Sequence, residues 1–525
     1  MLVGGLLAVC LLLVFAQRRR ERDASQATRG RRVSEAPTSA TGPALTTLKA
    51  GGDLQATVNK ARYGDTIVLE AGAIYSGPLV LPYKEPHGDD YITITTSNVS
   101  GIATEGERIR PELHARAMPK IVSPNAGVAV GTAERAHHYR FVGVEFSPAP
   151  DSRYVYNLIS LGDGSFKSLS QIPHHLIFDR CYVHATGLNT ARRGFALNSA
   201  ETSILNSYIS GFAGAGDETQ AIAGWTGPGP FHIINNHLEA GGEVIMFGGG
   251  DPSIKDLVPA DIEIRQNYLH KPGEWAGRAT IKGMFELKNA KRVVIDGNVI
   301  ESPIRTTALV LTVRNQDGTA PWSTIEDVEI TNNIIRHADN AINFLGRDVQ
   351  PPTQEAKRIR IANNLFVDIE SADSAYFMQI CNGDTVTVEH NTVQQAGVIM
   401  ICSCDAAPKN FTFRNNIVQY NLYGIYCGAL FPAVAGKAFK GNAVADNRGA
   451  LATANPPFPV GNFSLPSYDD FGFVDYRRGD WRLSPNSKLK GKATDRTDPG
   501  VDFSALEKAV AKADASAPYF GAPKR

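Results

Sequence analysis

ITNNII at 330–335, IANNLF at 361–366, VEHNTV at 388–393 and FRNNIV at 413–418 are one phrase written four times. Each is a short β-type run, a polar turn reaching Asn, then two apolar residues. Outward from these, the phrase recurs as IFDRCYV, ILNSYI, IINNHL, IRQNYL, IDGNVI and FKGNAV. Its key positions are Cys181, Ser207, Asn236, Asn267, Asn298, Asn333, Asn364, Asn391, Asn416 and Asn442, at spacings of 26, 29, 31, 31, 35, 31, 27, 25 and 26. A period of about 20–50 residues with several short strands per unit marks a solenoid. The runs are alternating or β-branched, with no helical stripe, which selects a parallel β-helix. Asn at a fixed turn can take a left-handed conformation and bond its copy one coil away, about 4.8 Å along the axis. A second run follows each turn, as in EVIMF, MFELK, ALVLTVR, AINFL, YFMQIC, GVIMIC and YGIYC. The expectation is an all-β chain, a parallel β-helix of roughly 10–12 coils over residues 49–450.

An open coil exposes unpaired strand edges, so the ends need covers. DLQATVNKA at 53–61 places Leu54, Val58 and Ala61 on one helical face and predicts an N-terminal capping helix. DTIVL at 65–69 and LVL at 79–81 then begin the first coil. The ladder is expected to stop after Asn442, with 451–525 as a closing cap containing a short helix near 503–511.

Residues 2–16 are an unbroken apolar run followed at once by Arg18, Arg19, Arg20 and Arg22. Fifteen residues suit the core of an export signal and fall short of the roughly 20 of a spanning helix. The segment 1–16 is read as a signal peptide or a membrane anchor. The arginines after it are oriented against export by the positive-inside rule, a conflict that a start codon further upstream would remove. Residues 17–48 lack periodicity and read as a disordered linker. Export, to the periplasm, the exterior or the membrane surface, is the expectation. Across all 525 residues, Lys plus Arg (53) equals Asp plus Glu (53), which excludes the basic surplus of a nucleic-acid binder. Six Cys without a CxxC pair exclude a disulfide scaffold and a zinc ribbon.

GDTIVLEAGAIYSGPLVLP at 64–82 resembles the first coil of bacterial right-handed parallel β-helix proteins of the pectate-lyase-like superfamily. GWTGPGPF at 224–231, FGGGDPSI at 247–254, FELKNAKRVVIDGN at 285–298 and VRNQDGTAPW at 313–322 resemble blocks of an uncharacterised bacterial β-helix family. A looser similarity is to polysaccharide lyases acting on alginate and dermatan sulfate. It implies acids and a Lys on one strand, an Asn turn about ten residues on, then an Arg on the next coil; Glu286, Lys288, Asn298 and Arg314 fall in that order. The lyases carry two acids upstream of the Lys, and here only Glu286 is close. The resemblance implies a right-handed helix, export, an acidic polysaccharide as partner, and calcium as the one cofactor to consider.

Strand parity gives an independent reading. Taking Phe247, Leu287, Leu311, Phe344, Cys381, Cys402 and Cys427 as the inward column leaves Met246, Glu286, Lys288, Thr312, Asn343, Asn382 and Ser403 pointing out, with Arg314 continuing the Thr312 face. Glu286, Lys288, Arg314 and Asn343 then share one face on adjacent coils. Lys288 is the candidate base for β-elimination of a uronate, and Arg314 the group that pairs with the carboxylate or, with a water, serves as acid. Glu286 holds Lys288 or a metal. The competing readings are a solvated ion-pair ladder on a binding or envelope protein, and a glycoside hydrolase, which needs two carboxylates across a groove.

Further candidates surround this trio. Glu243 and Asp251 flank FGGGD, where carboxylates beside glycines ligate calcium or simply shape a turn. Asp217 and Glu218 precede Gln220 in a loop that could meet substrate. Trp225, Trp275 and Trp322 are loop residues, either sugar platforms or covers of a core edge. Lys271, Arg278 and Lys282 make one inter-coil loop basic, as a partner of an acidic polymer or as solvated charge. His137-His138 and His174-His175 are assigned to surface turns without a third ligand. Cys381, Cys402 and Cys427 are expected as stacked buried thiols, with a Cys402–Cys427 bridge feasible and Cys402-Ser403-Cys404 a remote metal option.

Overall fold

The structure is a computed structural model describing residues 42–371, 375–404, 406–436 and 438–513. Residues 2–16, with Arg18, Arg19, Arg20 and Arg22, lie outside the described residues, as does most of the expected linker. Among the described residues no helix is long and apolar enough to cross a membrane.

Three parallel sheets of 14, 12 and 14 strands run the length of a β-helix, each coil placing one strand in each sheet. One coil is Ala260–Arg265, Tyr268–His270 and Phe285–Leu287. Registers stack like on like: Ile264 pairs with Ile295, then Ile330, Ile361, Val388, Phe413 and Phe439, all buried. That column of apolar side chains is the core, and every methylene it removes from water contributes about 0.8 kcal/mol. The 12-stranded sheet matches the expected 10–12 coils, and the two 14-stranded sheets exceed it only at their ends, by strands such as Leu45–Leu48 and Phe463–Leu465.

The Asn ladder forms. Each buried ladder Asn accepts the backbone N–H of its predecessor: Asn236 to Asn267 at 2.8 Å, then Asn298, Asn333, Asn364, Asn391, Asn416 and Asn442 at 2.9–3.0 Å. It runs one rung further than expected, to Asn462, and Phe463–Leu465 still pairs with Ala443–Ala445. The left-handed residue is the one before the ladder Asn, as at Asn235, Asn332, Asn363 and Asn415 with φ of 56°, 53°, 57° and 58°. The double Asn thus divides two tasks: the first turns the chain, the second bonds along the axis.

The helix Leu54–Lys60 covers the first coil, with Asp53 accepting from Ala56 N–H and Leu54 and Val58 buried. Strands Thr66–Leu69 and Leu79–Leu81 follow as expected. Leu45–Leu48, read as linker, is a strand paired with Thr66–Leu69, so order begins before residue 49. The C-terminal stretch is more than an end cap. It runs back along the flank of the 14-stranded sheet that contains Val299–Glu301 and Ile334–Ala338: Thr494 bonds Asn415, Asp502 bonds Asn363, and Arg108 reaches Ala513 O. Its Tyr468, Phe471, Trp481, Phe503 and Leu506 cover the outward apolar residues Val299, Ile334, Leu365 and Ile417. Those apolar outward residues were the sign that this face is covered. The last coil is closed by Phe431–Ala435 together with Phe458 of the expected cap, which packs on Tyr420 and Phe439.

The cysteine column shifts by one residue. Phe344 stacks on Ile380, which stacks on Cys402, so Cys381 ends its strand outside the inward column. The expected stacked thiols are two disulfides, Cys381–Cys404 and Cys402–Cys427. Both cysteines of Cys402-Ser403-Cys404 are therefore oxidised, which removes the metal option there. Cys181 is a free, buried thiol, pushed up to about 12 by desolvation.

Candidate functional site

On the 12-stranded sheet Met246, Glu286, Val310 and Asn343 are register partners on successive coils, all facing outward from the core. Lys288 lies two residues beyond Glu286, and Arg314 N–H donates to Lys288 O at 3.0 Å. Together with Thr312 these side chains line a groove of about 440 Å³. The parity argument therefore placed Glu286, Lys288, Arg314 and Asn343 together correctly. Asn382 does not belong to the outward column, because on that coil Ile380 and not Cys381 is the inward residue; Cys402 returns to the inward column, so Ser403 faces outward as expected.

Residues with weak or no signal complete the wall: Arg192, Arg193, Glu218, Gln220 and Lys282. Arg193 donates to Gln220 Oε1 at 2.7 Å, and Gln220 donates to Glu243 Oε2 at 2.8 Å. Glu243 is buried and in hydrogen-bond contact with Glu286. Lys288 Nζ stands 3.7 Å from Glu286 Oε2. A chain Arg193–Gln220–Glu243–Glu286–Lys288 thus crosses the floor. Desolvation, with the Glu243 carboxylate beside it and against the pull of Lys288, raises Glu286 to about 7. Lys282 pairs with Glu218, holding that carboxyl below its usual range against the burial that raises it. Arg314 pairs with Asp348 at 2.6 Å. The lining carries five cations and two carboxylates, an imbalance that suits an anionic ligand. The pair Arg192-Arg193, sitting outward on a strand one register step from Gln220, was the legible sign that was passed over.

Several expected site residues serve elsewhere. Lys271 is buried and donates to the carbonyls of Ala240, Gly241 and Gly242; desolvation drops it to about 7 although Glu243 opposes the fall. It holds the turn that carries Glu243 and does not meet solvent. Arg278 is exposed and outside the groove lining. Trp275 is buried, and Trp322 donates Nε1–H to Leu257 O at 2.9 Å, so both cover loop edges. Trp225 does flank the groove: it lies against Gly250, with the Arg193 guanidinium 5.3 Å from its ring centroid.

The glycine run has a steric reason. Gly248 has φ +99°, and a Cβ there would lie 2.7 Å from Lys288 Cβ. The turn passes directly over Lys288. Asp251 accepts from Thr319 N–H at 2.7 Å and Asp317 N–H at 3.1 Å, tying two loops. It does not join Glu243 in a ligand group. Calcium takes about six to eight oxygen ligands. The carboxylates of Glu243 and Glu286 with the Gln220 amide fall short of that, and Lys288 already faces Glu286. The groove does not fit calcium. Glu243 and Glu286 in contact are also closer than the roughly 5–9.5 Å separation of glycosidase carboxylates.

The histidine pairs are not isolated turns. His137 and His174 are register partners with parallel rings 4.9 Å apart, and His138 and His175 stack at 4.3 Å. Burial holds His138 and His174 down to about 4, helped by the neighbouring imidazoles. The expectation of no third ligand is overturned: His138, His174 and His175 offer ring nitrogens within 4.8 Å of one another.

No family model matches the sequence, and no curated protein does. Among solved structures, a variant of the PL6 family alginate lyase AlyGC matches at 13% identity and TM-score 0.50, over 92% of this chain and 59% of that one. The chain thus spans about three-fifths of that enzyme's length. A mannuronic acid specific polysaccharide family 6 lyase from human gut microbiota matches at 11% identity and TM-score 0.43, over 89% and 98% of the two chains. A GH87 alpha-1,3-glucanase from Streptomyces thermodiastaticus matches at 10% identity and TM-score 0.45, over 83% and 71%. At such identities the likeness is one of fold alone, and the chain is a right-handed parallel β-helix.

Proposed function

We propose that the protein is an exported polysaccharide lyase that cleaves an acidic, uronate-containing polymer by β-elimination in the groove of the 12-stranded sheet. The observation that carries this reading is the gathering of Glu286, Lys288 and Arg314 into one cation-rich groove with Arg192, Arg193 and Lys282. Arg314 and the arginine pair neutralise the sugar carboxylate, which makes its α-proton removable. Lys288 Nζ takes the C5 proton; the electrons form the C4–C5 double bond as the C4–O bond breaks. Glu286, raised to about 7, carries a proton near neutral pH and gives it to the departing oxygen. Trp225 offers a stacking face at the groove's edge, and Asn343 a polar contact one coil on. The two disulfides support an oxidising compartment, in line with the apolar run at 2–16.

A second reading is a non-catalytic polysaccharide-binding protein. It is favoured by one observation: Arg314 is already paired with Asp348 and Lys288 is near Glu286. Incubation with alginate, pectate and glycosaminoglycans separates the two. Absorbance of the unsaturated uronate product, lost in Lys288→Ala, is the expected outcome; binding without absorbance on any of them leaves the second reading.

A further inference from the structure

Two adjacent columns of turn residues run down the first sheet, one position per coil. Lower down they alternate in sign: Lys291, Glu326, Lys357 and Asp384 in one, Asp261, Arg292, Asp327 and Arg358 in the other. At the N-terminal end the same two columns hold His137 and His174, then His138, His175 and Glu201. His138, His175 and Glu201 share the left-handed backbone of their column, with φ of 58°, 54° and 46°. In an extended strand consecutive side chains point to opposite faces; the left-handed step brings both rings of each pair to the same side. His137 and His138 Nδ1 atoms are 2.7 Å apart, and those of His174 and His175 are 2.6 Å apart.

We infer that His138, His174 and His175 form a binding site for a borderline transition-metal ion such as Zn²⁺, Ni²⁺ or Cu²⁺. Three imidazoles are the donor set such ions prefer, and a hard oxygen-seeking cation would not choose them. Nitrogens bound at about 2.0–2.1 Å to one tetrahedral ion lie roughly 3.3 Å apart, and those of the trio already lie within 4.8 Å of one another. The shell around them is in place. Glu201 Oε2 lies 2.6 Å from His175 Nε2, which fixes the tautomer that leaves Nδ1 facing His174. His137 is stacked on His174, its ring nitrogens within 3.2 Å of Tyr63 Oη and its Nε2 at 3.1 Å from Lys84 O. A water completes four ligands, since Glu201 is engaged at the far nitrogen of His175. The site is on a different sheet from the groove and stands or falls independently of the lyase reading.

Isothermal titration of the tag-free full chain with ZnCl₂, and separately with CaCl₂, tests this. One equivalent of Zn²⁺ with micromolar or tighter affinity, and none of Ca²⁺, is expected. His174→Ala and the milder His175→Gln should each weaken Zn²⁺ binding at least tenfold while circular dichroism stays unchanged. Asp261→Ala, on the same column further down, should leave binding intact. Absence of Zn²⁺ binding, or binding unaltered by both histidine variants, overturns the site. If His174→Ala fails to fold, an X-ray absorption spectrum of the Zn²⁺-loaded wild type decides: imidazole ligation supports the site, and oxygen-only ligation overturns it.

Discussion

Two rows of charge cross adjacent coils of this β-helix, and they are built differently. In the turn columns of the first sheet, opposite signs alternate at one-coil spacing, so Arg292 meets Asp261 and Arg358 meets Asp327, half-exposed and locally neutral. In the groove of the 12-stranded sheet the signs do not cancel. Cations outnumber carboxylates at the surface, and Glu286 is lifted by desolvation in the floor, with Glu243 buried beside it. A stacked ladder satisfies itself; a groove with surplus charge and a desolvated acid is arranged for something outside the chain. Identical coil spacing and identical residue types therefore support opposite roles, decided by burial and by the order of signs.

The largest effect that would break this comparison is catalytic. Lys288→Ala should lower turnover of an acidic polysaccharide by about 10²–10⁴-fold, with thermal unfolding near wild type. Arg292→Ala should leave turnover unchanged, and equal losses in both variants would erase the distinction between groove and ladder. Next in size is the axial ladder. Asn364→Ala removes the acceptor for Asn333 N–H and leaves that buried donor unpaired. Denaturant unfolding should show a loss of about 1–3 kcal/mol.

Glu286 supplies a pH test. Its folded pKa, about 7, lies above its unfolded value, so between roughly pH 4.5 and 7 the folded state holds the extra proton. Stability contributed by that proton is complete below the unfolded value and is lost as pH rises through about 7. Glu286→Gln should abolish this loss, and the wild type minus variant difference should fall by on the order of 1–3 kcal/mol across that window. A flat difference would mean that Glu286 is ionised throughout and not desolvated. Smallest is the ladder itself: Arg292→Ala should cost only about 0.2–1 kcal/mol, diminishing with salt.

Much of this was legible in one dimension. The Asn spacing announced the coil because each amide needs a partner one rung away, and parity then carried Glu286, Lys288, Arg314 and Asn343 to one face. Parity failed on one rung: the partner of Phe344 is Ile380, which leaves Cys381 beside Leu345 and outside the core column. The loop residues fared worse. Lys271 and Trp275 look like surface groups in sequence, but the loop folds inward and uses one as a carbonyl clamp and the other as a cover. The histidine pairs were misassigned because their 37-residue separation falls outside the Asn-marked repeat, so nothing local shows that they stack.

The chain alone determined its coil, because a periodic amide and a periodic apolar column have only one arrangement that pairs every buried backbone group. What tertiary structure decided was which charges are neighbours and how wet they are. Contacts between coils join residues about 20–51 positions apart through loops of unequal length, and desolvation depends on what those loops cover. The same Glu-Lys pair is a solvated ladder on an open face and a poised acid and base on the floor of a groove.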